Sequence, residues 1–401
     1  MVGGRKEWRD GELCIGLLTA GRDKPYALGL ASALVSLGIS LDFIGSDSVD
    51  GPELHNSSLV NFLNLRDQRE NAGLLSKGVC ILCYYGRLAR YAAKARPTIF
   101  HILWNNKFEL LDRTILMLYY RSLGKRIVLT AHNVNAGKRD LNDSFLNRIS
   151  LRMQYRLCDH IFVHTARMKR ELASEFSVRE SKISVVPFGI NNTVPNTELT
   201  PFDAKEKLGI DKEDRTLLFF GNIAPYKGLE LVVDALAQVL QKCAGYRLIV
   251  AGRPKGCESY WNKIRATMES KGVRSRVIER IQYIPDEETE LYFKAADVLV
   301  LPYGHVFQSG VLFLGYSFGL PVIAADVGSL RDEIIEGKTG FVFRPGDASD
   351  LAEKIEAYFS SDLYLKLDES RREIQRLSNE RNSWAKVAEI TRNVYASLFQ
   401  Q

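Results

Sequence analysis

The segment from residue 301 to residue 341 constrains the fold of this chain more than any other stretch. It reads in order as the end of an apolar strand, a polar loop, an apolar helix, a second strand and a glycine-rich return. Gln308, Ser309 and Gly310 directly precede the helix, so the free N–H groups of Gly310 and Val311 lie at its positive end. This arrangement predicts a seat for a phosphate or diphosphate; the alternative is an ordinary junction between loop and helix.

A second element that could bind phosphate lies upstream. The apolar run 217–220 ends at Gly221, a loop carries Lys227, and an amphipathic helix begins just after Gly228. A lysine between a strand and a helix can deliver a positive charge to a diphosphate bound beyond the carboxyl end of the strand. A lone lysine of this kind is more often solvated, but the second loop downstream favours the ligand role for Lys227.

Short apolar runs alternate with helical patterns along the whole chain. Strands are predicted at 13–19, 40–44, 79–83, 98–102, 127–130, 159–164, 183–187, 216–220, 247–251, 277–282, 298–301, 322–324 and 340–343. Helices are predicted at 26–37, 110–123, 144–157, 311–318, 348–358, 363–377 and 384–399. This alternation is typical of α/β proteins and predicts two Rossmann-like domains, each a doubly wound parallel sheet, that face a common cleft.

The polar, proline-bearing segment 191–201 is typical of a linker and divides the chain. We therefore expect an N-terminal domain over 1–195 and a C-terminal domain over 196–382. The remaining helix, over 383–401, is expected to pack back on the N-terminal domain.

Composition places the chain among globular proteins with an ordinary core. The 401 residues are 46% apolar and 25% charged. No apolar run approaches the ~18 residues of a membrane-spanning helix, and the N-terminal residues do not resemble a signal peptide. Cys80 and Cys83 form a lone CxxC inside an apolar run, which we interpret as a buried strand rather than a redox or zinc site. These features predict a cytoplasmic protein.

Basic residues are concentrated in the first half. Residues 1–197 contain 27 Lys and Arg against 18 Asp and Glu, whereas the remainder contains 27 against 30, which together give the net charge of +6. The range 66–170 holds 20 basic and 7 acidic residues. The excess predicts an anionic partner, either a phosphate-bearing acceptor or the inner face of an anionic membrane, unless the charge only solvates long helices. Nucleic acid is not expected, because no nucleic-acid-binding motif accompanies the basic residues.

The motifs in the second half resemble the donor-binding half of family 4 glycosyltransferases (glycosyl transferases group 1). The similar stretches are GNIAPYKGLELVVDAL at 221–236, VIERIQYIPDEETELYFKAADVLVLPY at 277–303 and SGVLFLGYSFGLPVIAADVGSLRDEIIEGKTGFVF at 309–343. In the first half, VLTAHNV at 128–134 and ISVVPFGIN at 183–191 resemble the acceptor-binding half of that family.

The resemblance implies the GT-B fold and a nucleotide-diphosphate sugar as donor, of UDP or GDP type. It implies no cofactor and no metal, because cationic side chains and helix N-termini neutralise the diphosphate in that family. The donor and diphosphate residues are then Gly21, Arg22, Asn222, Lys227, Gln308, Ser309, Gly310 and Val311. Gly21 and Arg22 would act from the N-terminal domain, although a purely structural turn is the alternative.

Histidines supply the other candidates. His132 follows the strand over 127–130 and matches the cleft-facing histidine of the family, where a neutral imidazole can hold a sugar hydroxyl. We assign His132 and Lys227 as catalytic residues and His305 as a contact for the donor sugar. His101 is a weaker candidate, and His164 is interpreted as structural or solvated.

Three positions depart from the family pattern. Asn222 stands where the family carries an arginine, so that Arg22, Arg253 or Lys255 would have to compensate. The paired glutamates of the family fall on Val306 and Leu314, and Gln308-Ser309-Gly310 resembles a variant subgroup. Asp326 and Glu333 offer alternative carboxylates, against a solvated or capping role.

The sequence therefore predicts a glycosyltransferase that moves a hexose-type sugar to a saccharide or lipid-linked glycan, with retention of configuration, in bacterial polysaccharide biosynthesis. The alternatives are a nucleotide-sugar epimerase or hydrolase of the same fold and a non-catalytic subunit that binds sugar nucleotides. A nicotinamide-dependent dehydrogenase is excluded, because the turn at residues 19–24 has one glycine and no GxGxxG.

Overall fold

The computed structural model describes residues 13–66, 74–139, 143–191, 194–254, 256–306 and 308–400, without the side chains of 74–78 and 139. The chain divides into two compact units. Unit 1 comprises residues 1–189 and 382–401, and unit 2 comprises residues 190–381. Among the described residues, no helix is both long and apolar enough to cross a membrane.

Unit 1 is built on a seven-stranded parallel sheet with the order β3-β2-β1-β4-β5-β6-β7. Its strands are β1 Cys14–Leu18, β2 Ser40–Ser46, β3 Val60–Arg66, β4 Ile99–Ile102, β5 Arg126–Thr130, β6 His160–Val163 and β7 Ile183–Val185. Its helices are α1 Lys24–Ser36, α2 Pro52–His55, α3 Leu74–Lys94, α4 Glu109–Leu111, α5 Met117–Ser122, α6 Ala136–Arg139, α7 Phe145–Leu157, α8 Ala166–Phe176 and α18 Trp384–Phe399. A π-helical turn, Asp112–Leu116, joins α4 to α5.

Unit 2 is built on a six-stranded parallel sheet with the order β10-β9-β8-β11-β12-β13. Its strands are β8 Arg215–Phe220, β9 Tyr246–Ala251, β10 Val277–Arg280, β11 Val298–Leu301, β12 Val322–Ala325 and β13 Gly340–Phe343. Its helices are α9 Pro201–Lys207, α10 Leu229–Lys242, α11 Glu258–Ser270, α12 Asp286–Ala295, α13 Gly310–Ser317, α14 Leu330–Glu333, α15 Ala348–Phe359, α16 Asp362–Leu365 and α17 Leu367–Arg381.

The predicted fold class is confirmed, because both sheets are parallel and doubly wound. In each sheet the strand order reverses beside the first strand of the unit, at β1/β4 and at β8/β11. The loops that leave such neighbouring strands diverge and open a crevice at the carboxyl edge of the sheet, where ligands of this fold bind. The central strands are fully buried, which explains their unbroken apolar sequences.

The C-terminal helix α18 belongs to unit 1. Trp384 at its start packs so closely against Gly29 and Gly189 that a Cβ atom at either glycine would lie within 2.3 Å of the indole. Farther along, the hydroxyl of Tyr395 bonds Nδ1 of the buried His101, whose Nε2 bonds Thr130 Oγ1 at 2.7 Å. Both ring nitrogens of His101 are thus occupied within unit 1, which assigns this histidine to structure.

The strand predicted at 79–83 is wrong. These residues lie within α3, where Val79 and Leu82 are 60% and 70% exposed. The apolar run was interpreted as buried, whereas it forms part of the outer surface of a long helix. Cys80 and Cys83 therefore lie one turn apart on that helix, and both are free thiols.

Candidate functional site

Lys227 lies in the loop that leaves the carboxyl end of β8. The loop closes in a 3₁₀ turn, Pro225–Lys227, and Gly228 then adopts a left-handed conformation that turns the chain into α10. The lysine is only 6% exposed. Its Nζ lies 3.5 Å from the carbonyl oxygen of Phe220, the last residue of β8, and 5.2 Å from the ring centroid of Tyr303.

The charge of Lys227 is not neutralised by an acidic residue. Among the described residues, no carboxylate oxygen lies within 4 Å of its Nζ. Lys205, which is similarly buried, instead contacts Asp297 at 3.0 Å. Burial lowers the pKa of Lys227, because the surroundings disfavour the charged form. A buried ammonium group without a carboxylate is a site that an anion would stabilise.

Gly221 is the point at which the two predicted phosphate elements meet. Its φ of +97° is accessible to glycine, and a Cβ atom there would lie 3.1 Å from Nζ of Lys227 and 3.6 Å from Cγ2 of Val311. The meeting follows from topology, because β8 and β11 are neighbours and pair Val298 with Leu217. The structure therefore brings Lys227 and the start of α13 close to the same glycine.

The N-terminus of α13 has unused backbone donors. Ser309 precedes the helix without a capping hydrogen bond, since its Oγ is directed to the hydroxyl of Tyr303 at 3.4 Å. The N–H groups of Gly310 and Val311 belong to the first turn and have no carbonyl partner within the helix. The start of α10 differs, because the hydroxyl of Tyr260 accepts the N–H of Leu229 at 3.1 Å. The dipole and amides of α13 are thus the better anion site.

Gln308 connects this loop to α14. Ser329 donates a hydrogen bond to Oε1 of Gln308, while the buried Nε2 has no acceptor in hydrogen-bond geometry among the described residues. Glu333 lies beside it, 8% exposed, and its Oε2 is 3.7 Å from Arg381. Burial raises the pKa of the Glu333 carboxyl, and the charge of Arg381 and the amide of Gln308 act in the opposite direction.

The positions of the missing glutamates carry no charge. Val306 and Leu314 are both 8% exposed and belong to the apolar core around α13. Glu333 was weighed from sequence only as a secondary carboxylate. The structure places it beside Gln308 of the predicted phosphate loop, and the signal that could have found it was its position eight residues after β12, in the segment that leaves the carboxyl end of that strand.

The remaining donor candidates of unit 2 lie at the same edge of the sheet. Asn222 and His305 are exposed in the loops after β8 and β11. Arg253, considered as a substitute for the missing arginine, follows β9 and stacks its guanidinium 5.3 Å from the ring of Tyr283. Lys255 lies outside the described residues. Nothing in the structure assigns these side chains to a ligand, and their roles stay predictions.

In unit 1, Gly21 occupies a tight turn after β1. Its φ is +66°, and a Cβ atom would lie 2.3 Å from Oγ of Ser46. The turn is further held by hydrogen bonds from Ser48 Oγ to the carbonyl of Gly21 and from the N–H of Gly21 to Thr19 Oγ1. Steric and conformational requirements of the turn therefore suffice to explain the glycine. Arg22 next to it is exposed.

His132 is held by a chain of hydrogen bonds. His164 Nδ1 faces the carbonyl oxygen of Val186 at 3.3 Å, and His164 Nε2 faces His132 Nδ1 at 3.0 Å. Because a carbonyl only accepts, His164 carries its proton on Nδ1, and His132 must donate from Nδ1. The buried Nε2 of His132 is then an unprotonated acceptor without a partner among the described residues. The ring also stacks on Trp104, with centroids 4.3 Å apart.

Burial keeps both imidazoles neutral. It lowers the pKa of His164 to about 4 and the pKa of His132 well below the ordinary value, and the neighbouring His164 and His101 lower the pKa of His132 further. A neutral acceptor nitrogen at this position can receive a hydrogen bond from a hydroxyl group. His164 was interpreted from sequence as structural or solvated; its contribution is to fix the tautomer of His132.

A pocket of about 270 Å³ brings His132 and Arg22 together within unit 1. It is lined in addition by Trp104, Asn105 and Gln154, whose amides bond each other, and by Arg113. Arg113 is buried, donates to Asn147 at 2.8 Å and is paired with Glu109, which also lines the pocket. Polar walls with the exposed cation Arg22 suit a hydroxylated ligand that bears a negative group.

Two family models match successive parts of the chain. The model described as Glycosyltransferase Family 4 matches residues 25–193, and the model described as Glycosyl transferases group 1 matches residues 202–378. Together they cover both units and correspond to the two halves of the resemblance seen in the sequence.

Curated relatives include two proteins named D-inositol 3-phosphate glycosyltransferase. The protein from Corynebacterium aurimucosum is 25% identical over 281 residues, which are 67% of this chain and 66% of the relative. The protein from Acidothermus cellulolyticus is 30% identical over 193 residues, which are 46% of this chain and 42% of the relative. The matches thus span about two fifths to two thirds of the relatives' own length.

Solved structures of the GT-B fold cover nearly the whole chain. Sucrose-phosphate synthase from Thermosynechococcus elongatus has a TM-score of 0.76 at 20% identity, over 97% of this chain and 100% of that chain. Anabaena HepE in complex with UDP-glucose has a TM-score of 0.72 at 15% identity, over 96% and 99%. At these identities the likeness shows the fold.

Proposed function

Because the chain belongs to the group 1 and family 4 glycosyltransferases, we propose that it transfers a hexose-type sugar from a nucleotide-diphosphate sugar to a saccharide or lipid-linked glycan. One observation carries the proposal: Lys227 is a buried cation without a carboxylate partner among the described residues, and both its Nζ and Val311 at the start of α13 lie next to Gly221. A diphosphate placed there would neutralise the lysine and receive hydrogen bonds from Gly310 and Val311.

The departing nucleoside diphosphate is the group that this arrangement stabilises. Transfer builds negative charge on the leaving phosphate, and fixed donors aimed at that charge lower the barrier without reorganising. Lys227 supplies the full charge, and the amides of α13 supply partial charges. We propose that these groups act without a metal ion. HepE has been solved with UDP and with UDP-glucose, which supports a donor of the UDP type for this chain.

The pocket around His132 is our proposal for the acceptor side of the reaction. The unprotonated Nε2 would accept a hydrogen bond from a sugar hydroxyl, and the exposed Arg22 suits a phosphate on the acceptor. The names of the relatives above include inositol 3-phosphate and sucrose-phosphate, which supports a phosphate-bearing acceptor. Retention of configuration and a role in bacterial polysaccharide biosynthesis remain part of the proposal.

The first test is a thermal-shift screen of UDP, GDP, ADP and dTDP in the presence of EDTA. A nucleotide at ~100 times its dissociation constant stabilises the folded protein by about 2.7 kcal/mol, which is readily visible. The nucleotide selected there is then supplied as its sugar conjugates, and the anomeric configuration of any product is determined by NMR. A shift followed by release of free sugar would favour the hydrolase, and binding without turnover would favour the non-catalytic subunit.

A further inference from the structure

Three neighbouring segments of unit 1 expose large apolar side chains. These are α3, the continuous helical segment 109–122 with the residue before it, and α7. Nine side chains, between 43% and 76% exposed, form what we call the apolar face: Val79, Leu82, Phe108, Leu110, Ile115, Leu118, Phe145, Leu146 and Ile149. They are nine of the sixteen large apolar side chains that are exposed in the described part of the chain. Such a concentration marks an interaction surface.

Direct contacts join the three segments side by side. The hydroxyl of Tyr119 in α5 donates to the carbonyl of Ala89 in α3 at 3.1 Å. The π-helical turn is linked to α7 through the hydrogen bond between Arg113 and Asn147. The rings of Tyr85 and Phe108 stack with centroids 6.0 Å apart. The apolar face is therefore one surface rather than three separate groups.

The exposed side of each segment changes from apolar to basic along its axis. On α3, Val79 and Leu82 lie before Arg87 and Arg90, and on α7 Phe145 and Ile149 lie before Arg152 and Arg156. Segment 109–122 ends similarly, with Arg121 in its last turn. At a rise of 1.5 Å per residue, about 10 to 12 Å separate the midpoints of the apolar and the basic tiers of α3 and α7.

The three segments together carry an excess of positive charge. Residues 79–94, 107–122 and 144–157 contain nine basic residues. Acidic residues in or against these segments include Glu109, Asp112, Asp143 and Asp159, the buried Asp42, which bonds Tyr91 of α3, and Glu175, which pairs with Lys138. Glu109 pairs with Arg113, Asp143 with Arg148 and Asp159 with Arg121, and Asp112 is buried. Arg152 and Arg156 on α7 remain exposed and form no ion pair with any described residue.

We propose that the apolar face inserts into the boundary between headgroups and acyl chains of an anionic lipid bilayer. The succession from apolar to basic along each axis matches the succession from hydrocarbon to phosphate with depth in a leaflet. Insertion by 5–10 Å is typical of such surfaces. A second copy of the chain fits less well, because a symmetric pairing would bring two sets of arginines together.

The position of the face relates it to the pocket around His132. Helices that cross between parallel strands begin at the carboxyl edge of the sheet, so Leu110, Phe145 and Leu146, in the first turns of their segments, lie at the same edge as the pocket. The first turn of the segment 109–122 supplies Glu109 and Arg113 to the pocket wall, and α7 supplies Gln154. Resting on the function proposed above, this geometry would present the pocket to an acceptor held in the membrane by a lipid.

The test is co-sedimentation of the full chain with vesicles of phosphatidylcholine, with and without phosphatidylglycerol, and without donor or acceptor. We expect binding to the anionic vesicles that weakens with salt. Phe145→Ser with Leu146→Ser should lower the partition coefficient by about tenfold or more, because two large apolar groups no longer leave water. Phe202→Ser with Leu365→Ser is the matched control, since both residues are exposed in unit 2, at 56% and 69%.

A variant outside α7 keeps the test independent of that helix: Ile115→Ser with Leu118→Ser should weaken binding similarly. On α7, Arg152→Gln with Arg156→Gln removes only positive charge and should weaken binding only to the anionic vesicles. Absence of binding by the unaltered protein, or equal loss with the unit 2 control, would overturn the proposal. A dimer in analytical ultracentrifugation that Phe145→Ser with Leu146→Ser dissociates would instead assign the face to a second copy. Because no turnover is measured, failure here is distinguishable from failure of the proposed transferase activity.

Discussion

The ammonium nitrogen of Lys227 lies 3.5 Å from the carbonyl oxygen of Phe220, at the end of β8 and away from any described carboxylate. The carbonyl dipole of Phe220 offsets part of the desolvation cost of the buried ammonium group. A bound anion would offset the rest of that cost. This relationship supports the proposed anion site at the carboxyl edge of the unit 2 sheet.

Gly228→Ala should destabilise the protein strongly. Gly228 has a φ of +66°, and a Cβ atom there would lie 2.1 Å from the carbonyl oxygen of Pro302. The left-handed conformation alone costs about 1 to 2 kcal/mol, and the backbone clash adds to it. The control is Gly209→Ala, which has a φ of +67° but open space around it and should show the conformational cost alone. Urea denaturation compares the two, and equal losses would contradict the close approach of the loops.

His132→Ala should lower kcat by about tenfold, the loss expected for one hydrogen bond to a reacting sugar. The histidine offers a neutral acceptor nitrogen that its partner His164 holds in place. His160→Gln is the control, because His160 bonds Ser184 on the neighbouring strand and does not line the pocket. Steady-state kinetics with the donor selected by the thermal-shift screen gives the comparison. An unchanged kcat for His132→Ala would remove this residue from the catalytic machinery.

Gln308→Ala should raise the KM for the donor by about two- to tenfold, since it releases the loop before α13 from Ser329. Glu333 lies beside Gln308, and we expect it to position this loop, so Glu333→Ala should have a similar effect on KM with little effect on kcat. Glu333→Gln should restore most of the loss, because it keeps the volume of the buried side chain and an oxygen beside Gln308. Asp332→Asn on the exposed side of α14 is the control, and a KM change of the same size there would argue against positioning by Glu333.

Stability should fall as the pH is lowered from about 6.5 towards 4. Burial lowers the pKa of His101 to about 3 and that of His164 to about 4, from an ordinary value of 6.5. The unfolded chain binds these protons first, so each buried histidine removes up to about 1.4 kcal/mol of stability per pH unit within this window. Above pH 6.5 their contribution is fully present. Urea denaturation at several pH values measures the slope.

His101→Gln provides the comparison for that measurement. The variant loses absolute stability, because it disturbs the contacts with Tyr395 and Thr130. Its slope with pH should nevertheless be smaller by about 1.4 kcal/mol per pH unit, because one titrating group is gone. A slope equal to that of the unaltered protein would show that His101 does not titrate over this range.

Much of the fold could be predicted from the sequence, because buried parallel strands are short unbroken apolar runs between helical patterns. The errors occur where apolar residues are not buried or where strands are not fully apolar. Val79 and Leu82 were assigned to a strand although they form the outer surface of α3. The strand β3 was missed because its sequence, VNFLNLR, alternates polar with apolar residues at the edge of the sheet.

The candidate site could be predicted only in part. Lys227 and the segment 308–311 were found from local patterns of loop and helix, but their approach at Gly221 depends on the pairing of β8 with β11. Glu333 and His164 were undervalued, because their importance comes from neighbours that are distant in sequence. The arginine and glutamate positions that depart from the family pattern could be recognised, whereas the burial of Val306 and Leu314 required the structure.

The most direct test of the donor site is a calorimetric titration of the unaltered protein and Lys227→Ala with UDP and with GDP in EDTA. The account predicts that one nucleotide binds the unaltered protein and that Lys227→Ala weakens this binding by about 10- to 100-fold, the size of effect expected for one hydrogen bond to a charged group. Lys242→Ala, at the exposed end of α10, should bind normally. Near-normal affinity of Lys227→Ala for the nucleotide would contradict the assignment of the diphosphate site.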